Sequence, residues 1–432
     1  MKYPIKNIVV RLAHKTQLSA VALAVCAFVV VGCDLKVLQD PKAFTIDKAQ
    51  DANGAYQSTS GAIKSIFDGH QRMAWAAGMV GNEEIESVLD NAITQYGLRI
   101  ERENIITKDN TFNRSIVSIT YQGLSLANNA RQAVDKNTFS AKGKALLLAN
   151  INMVEGIAYA DMAKFYAQVI EYGTGASLSP DQAKTKAIGL LAESINQFRA
   201  AAAIADAATE RLVGLHLDPV IGQKFCNSYI AMLHFDTGTK AQAAPFLDLG
   251  YVLADAGREI GIVNINTLSG IGVYPEWRNA VEFQLSGYSQ KFIDNRITAD
   301  TLRRAPATWF VRGKNISLPA NRLVTNYFFP QSPLSATTPA GSPTLATLPL
   351  ITWQEVALMQ ADPAINKATA NVVETAVMTS WRIPATRAAA LAADPAVTLE
   401  RVARYEYIGR GRRWSAVGTY PKWEVANEFN FN

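Results

Sequence analysis

Between Ala141 and Gly257 the apolar residues fall at helical spacing. Leu147, Ile151, Val154, Ala158, Met162, Phe165 and Val169 recur at steps of three and four, the period of one helical face. The other faces are not polar, since Leu148, Ile157, Tyr159, Ala163 and Tyr166 lie off the stripe, so this helix is expected to pack on more than one side. The run Glu171 to Gly175 supplies glycines to end it, and Ser179-Pro180-Asp181 carries the start signals of the next.

That second helix places Ala187, Leu191, Ile195, Phe198 and Ala202 on one face. After breaks at Val213-Gly214 and Asp218-Pro219, Ile221, Phe225, Tyr229 and Met232 mark a third, closed by Gly238. A fourth is predicted to about Leu253, with Pro245 disturbing its start. Alanine-rich contacts between such hairpins let helices approach closely and suit a tetratricopeptide-like stack, although no consensus repeat is present.

Outside this block the pattern is mixed. Asp47 is placed to cap a helix to about Asp68, a second helix or turn follows through Trp75 and Met79, and Phe112 to Val134 is helical again. From Ile260 to Pro349 the chain carries many of its glycines and prolines mixed with aromatic residues, among them Tyr274, Trp277, Phe283, Tyr288, Trp309, Phe310 and Tyr327. Long irregular segments in a compact protein are disordered or functional, and aromatic-rich ones are seldom disordered. Thr337 to Thr347 reads as a mobile surface loop. Helices return near Thr352 to Met359, Ala370 to Trp381 and Leu399 to Tyr407. The fold class is therefore mainly α, a helical-hairpin stack with a long irregular segment packed on it.

The N-terminus changes the meaning of the charge. Residues 1–32 read as an export signal, with basic residues to Lys15 and an apolar run from Leu18 to Val31 that is short for a membrane span. Lys2, Lys6, Arg11 and Lys15 are its only charged residues. Its removal takes the basic count from 42 to 38 against 37 acids, so the formal +5 falls to about +1 and gives no support to a nucleic-acid partner. Val30-Val31-Gly32-Cys33 resembles the lipobox of bacterial lipoproteins, which implies that Cys33 is a lipid-bearing N-terminus, with an ordinary secretory signal and an incidental cysteine as the competing reading; a tether over residues 33–46 and a domain over 47–432 follow. Within that domain the repeat core covers about 112–257, the irregular region 258–349 and the last helices 350–432. Cys226 has no partner left and reads as a small buried residue.

Catalytic and metal chemistry finds little support. Glu83, Glu84 and Glu86 suggest paired carboxylates, but three acids so close in sequence are more often a solvated face or helix start. His216 and His234 are not at ligand spacing, so neither a metal nor another cofactor is expected. The arginines of Gly409-Arg410-Gly411-Arg412-Arg413-Trp414 read as structural.

Taken together, Val30-Val31-Gly32-Cys33, Phe165-Tyr166-Ala167-Gln168 before its glycine turn, the paired helices to Gly257, Leu348 to Val356, and Glu400 to Tyr407 resemble the SusD/RagB family of outer-membrane nutrient-uptake lipoproteins. Where the family pattern has Ala-Glu-Ala after the Glu355 helix, this chain has Gln360-Ala361-Asp362, and it is shorter in the irregular region. The resemblance implies a surface lipoprotein of the outer membrane that caps a SusC-like TonB-dependent β-barrel transporter and hands it an oligosaccharide or peptide, breaking no bond. Its ligand contacts would come from Trp75, Asn82 and Glu83 near the N-terminal turn and from Tyr274, Trp277, Arg278 and Trp309 in the irregular region, where flat rings can lie on sugar faces. For each aromatic, core packing is the competing reading. A second function class stays open: a helical-repeat lipoprotein that scaffolds envelope protein assembly in its groove. A glycosidase would need two facing carboxylates in one cleft.

Overall fold

The computed structural model describes residues 51–80, 84–86, 111–205, 215–263, 286–288, 310–312, 323–325, 347–380, 384–395 and 397–407. Among them the fold is mainly α-helical, as the apolar periodicity predicts. Helix α1 spans Ala52–Val80 and pairs with α2, Thr111–Lys136; helix α3, Ala141–Phe165, pairs with α4, Pro180–Ala202; and α5, Pro219–Asp236, packs on α4. Successive hairpins bury their facing stripes, which no single helix of this length could do alone.

The middle of the stack is α3. Of its 25 residues, 20 are buried, including the expected stripe from Leu147 to Phe165 and the off-stripe Ile157, Tyr159 and Ala163. It is the inner helix that its all-round apolar sequence predicts. Close approach is visible at Gly222 of α5, where a Cβ would lie 2.6 Å from the fully buried ring of Phe198 of α4. Each start signal acts locally. Ser179 and Gln182 form a reciprocal capping box at α4, and Asp218 accepts from the backbone N–H groups of Val220 and Ile221 at α5.

Several boundaries differ from expectation. Helix α3 stops at Phe165, because Tyr166 turns extended and Val169–Ile170 (β2) pairs with Ser177–Leu178 (β3). Val169 therefore belongs to a hairpin, and Gly173 and Gly175, with φ of 89° and 71°, turn that hairpin instead of ending the helix. On α4 the buried residue at the end of the stripe is Ala201, while Ala202 is exposed. The fourth helix is replaced by short turns: Lys240–Ala243, the single-turn α6 at Ala244–Leu247, and Leu253–Asp255. Pro245 confines the helix to its first turn. Gly238 does end α5. Asp47 lies outside the described residues; α1 begins at Ala52, with Asp51 Oδ1 accepting from the Gly54 N–H at 2.6 Å, and runs past Asp68 without a break.

The C-terminal helices are α7 at Trp353–Ala361, α8 at Ala370–Ser380, α9 at Ala385–Ala392 and α10 at Leu399–Tyr407. Helix α9 has no counterpart in the sequence reading. Thr352 and Glu355 cap α7 reciprocally, and Thr352 Oγ1 also donates to Glu406 of α10 at 3.2 Å, which ties the last helix to the first of this group. Cys226 is buried, and burial pushes its thiol up to about 12. No described helix is long and apolar enough to cross a membrane.

Candidate functional site

Short strands connect the parts of the chain that carry the candidate ligand residues. Strands β4 (Gly261–Val263) and β8 (Thr347–Pro349) pair antiparallel, Gly261 opposite Pro349 and Val263 opposite Thr347. The irregular region is thus an excursion whose two ends meet, and it returns to the stack where α7 begins. A second sheet has the order β1, β5, β7, β6, formed by Glu84–Glu86, Ser286–Tyr288, Leu323–Thr325 and Phe310–Arg312, with β6 and β7 numbered in chain order. Its β1–β5 ladder sets Glu84 opposite Tyr288 and Glu86 opposite Ser286. Backbone pairing therefore joins the turn after α1 to the irregular region, although 200 residues of chain lie between them by number.

The candidates fall along the chain as follows. Trp75 lies in the last two turns of α1. Asn82 and Glu83 lie outside the described residues, just before β1 in sequence, and Trp309 lies outside them just before β6. Tyr274, Trp277 and Arg278, the tether and Cys33 are also outside. So are the arginines of residues 410–413 and most of the Thr337–Thr347 tract. Glu84 and Glu86, expected on a solvated face or at a helix start, are in a strand, because β5 supplies hydrogen-bonding partners for their backbone.

What holds this end of α1 in place is a buried polar cluster that the sequence reading did not single out. His70 Nδ1 of α1 lies 2.8 Å from Asp161 Oδ2 of α3, Tyr229 of α5 donates its hydroxyl to Asp161 Oδ1 at 2.9 Å, and Lys164 Nζ lies 3.0 Å from the same oxygen. Burial alone would raise the Asp161 carboxyl, but His70 and Lys164 outweigh it and hold it well below the usual carboxylate range. Burial, reinforced by the Asp161 charge, pushes the Tyr229 hydroxyl well up. The available signal was Asp161 and Lys164 themselves, two charges one turn apart in a stretch, Ile157 to Phe165, whose other residues are alanine, aliphatic or aromatic.

A polar depression of about 290 Å³ lies beside the start of β4, lined by His216, Asp218, Arg258 and Glu259 among others. Its carboxylates are already engaged. Asp218 Oδ2 accepts from Arg258 at 2.6 Å while Oδ1 caps α5, and Glu259 Oε2 accepts from the Gly257 N–H at 2.6 Å. Burial pushes the His216 imidazole down to about 4, so it is neutral at physiological pH. Such a surface presents polar groups that are largely paired within the chain.

No family model matches the chain, and no curated protein matches it in sequence. Solved structures do share its fold. A SusD superfamily protein from Bacteroides vulgatus is 13% identical with a TM-score of 0.58, over 85% of this chain and 88% of that one. Surface glycan-binding protein A from Bacteroides thetaiotaomicron, in complex with laminarihexaose, is 11% identical with a TM-score of 0.55, over 87% and 90%. A chitin-binding SusD homolog from Flavobacterium johnsoniae is 11% identical with a TM-score of 0.52, over 85% of each chain. The likeness spans most of both chains in every case, and the chain has a SusD-like fold.

Proposed function

We propose that this chain is a surface-exposed, carbohydrate-binding lipoprotein that captures an oligosaccharide and delivers it to a TonB-dependent outer-membrane transporter. The observation that carries the reading is the fold, shared over most of its length with a chitin-binding protein and with one solved with laminarihexaose. Binding and release suffice for this role, so the protein is not an enzyme. Capture uses the aromatic-rich region between β4 and β8 together with the turn after α1; the β1–β5 ladder supports assigning both to one site. Trp75, Tyr274, Trp277 and Trp309 stack on sugar rings, while Asn82, Glu83 and Arg278 bond to hydroxyls. Acylation at Cys33 anchors the chain to the outer membrane facing the exterior.

A partner surface is also available. Leu217, Val220, Leu249, Val252 and Leu253 are about half exposed or more. The Asp218–Arg258 and Lys224–Asp255 ion pairs bring the start of α5 against the turn that holds Leu253. A patch of this kind suits a protein neighbour, here the barrel.

Calorimetric titration with soluble oligosaccharides tests capture. At least one glycan class should bind saturably, and Trp277→Ala and Trp309→Ala should each weaken it by roughly three- to tenfold, the worth of one stacked ring. Absence of binding to every glycan, or affinities unchanged in both variants, would reject the assignment.

A further inference from the structure

Helix α8 packs on α7, α9 and α10 and buries one stripe of its surface, made by Val373, Glu374, Val377 and Met378. Three of the four are apolar. Glu374 is the exception, and among the described residues nothing donates a hydrogen bond to it or pairs with its charge.

The charged groups on the surrounding helices do not serve it. Glu355 of α7 is tied to Thr352, whose hydroxyl also donates to Glu406 of α10. Arg387 of α9 is exposed. Glu400, in the first turn of α10, has a buried Oε1 with no hydrogen-bond partner, and the side chains of Arg401, Arg404, Tyr405 and Tyr407 lie outside the described residues. A carboxylate taken out of water needs hydrogen bonds or a counter-charge, whereas the protonated carboxyl is tolerated there, so burial pushes Glu374 up to about 7.

The helices on this side are also lightly held. Helix α9 buries only Ala388 and Ala392, and a polar tie from α7 to α8, the 3.2 Å bond from Gln354 Nε2 to Ser380 Oγ, is at an exposed position. Segments that bury few apolar groups open at a lower cost than the whole fold.

We propose that α8 and α9 form a proton-latched flap: with Glu374 protonated the pair stays packed on α7 and α10, and loss of that proton releases it while the stack from α1 to α5 stays folded. The released carboxylate is hydrated and returns to its ordinary value, so the open form gains on the packed one as pH rises. Between an ordinary value of ~4.3 and a packed value of about 7, the opening equilibrium rises about tenfold from pH ~6 to pH ~8.5.

Hydrogen–deuterium exchange of the full chain carrying Cys33→Ser, read peptide by peptide and corrected for the intrinsic pH dependence of amide exchange, tests the flap. Amides from Val373 to Met378 should lose about tenfold in protection from pH ~6 to pH ~8.5, while those of α3 keep theirs. Glu374→Gln, which has no proton to lose, should hold the protection of α8 constant over the same range. The proposal is overturned if α8 keeps its protection in the unsubstituted helix, if it loses as much in Glu374→Gln, or if α3 loses protection in parallel, the mark of global unfolding. The comparison of α8 with α3 at Glu374 itself keeps the proposal falsifiable even if the glutamine variant fails to fold.

Discussion

His70 and Asp161, 91 residues apart in sequence, meet at 2.8 Å where their side chains are 5% and 1% exposed. This contact fastens the latter part of α1, on which Trp75 sits, to the inner helix of the stack. The same carboxylate balances Lys164, whose side chain is wholly buried beside the rings of Phe165 and Tyr229.

Removing one partner of a buried pair leaves a charge with nothing to balance it. Asp161→Asn is therefore expected to cost about 3 kcal/mol or more, read as a lower urea midpoint, and Lys164→Met in the same chain should restore part of the loss. The sign with pH follows from the lowered carboxyl. Its stabilising contribution is complete above the unfolded value near pH ~4 and is lost as pH falls toward the lower folded value, so the acid side of the stability profile should flatten in Asp161→Asn.

Glu374 of α8 gives the opposite sign. It is 2% exposed, and burial pushes its carboxyl up to about 7, above the usual carboxylate range. The folded state then holds a proton that the unfolded state has released, and stability falls as pH rises through that window. Glu374→Gln should raise the melting temperature at pH ~8 and leave it nearly unchanged at pH ~5, because only the charged form is penalised by burial. Equal shifts at the two pH values would show that packing, not ionisation, is at work.

Gly222 should resist substitution despite its helical setting. Alanine there favours the helix by about 1 kcal/mol, but its Cβ would meet the Phe198 ring at 2.6 Å, and overpacking costs roughly 1–3 kcal/mol. Gly222→Ala should lower the urea midpoint, and Phe198→Leu should cost less in that background than alone. Additive effects would contradict the close contact.

The helices were legible because their signals are local. Ser179-Pro180, Asp218-Pro219 and Thr352 with Glu355 cap where their chemistry predicts, and α10 has the expected bounds at Leu399–Tyr407. The errors arose where a longer-range contact won. Val169 has the spacing of the α3 stripe, yet the ladder to Leu178 and the bond from the Tyr172 N–H to the Tyr159 hydroxyl draw the chain into a hairpin. Nothing near Glu84 announces a strand, because its partner is Tyr288. The capture residues were named from resemblance and aromatic clustering, and apart from the backbone position of Trp75 they lie outside the described residues, whereas the cluster around Asp161 was readable as misplaced charge.

Delivery to a transporter is tested most directly by tagging this chain, solubilising the outer membrane in detergent and identifying what co-purifies by mass. Recovery of a large TonB-dependent barrel in near-equal amount is the predicted result. Recovery of envelope assembly factors instead, or of nothing above background, would contradict delivery and favour the scaffold reading.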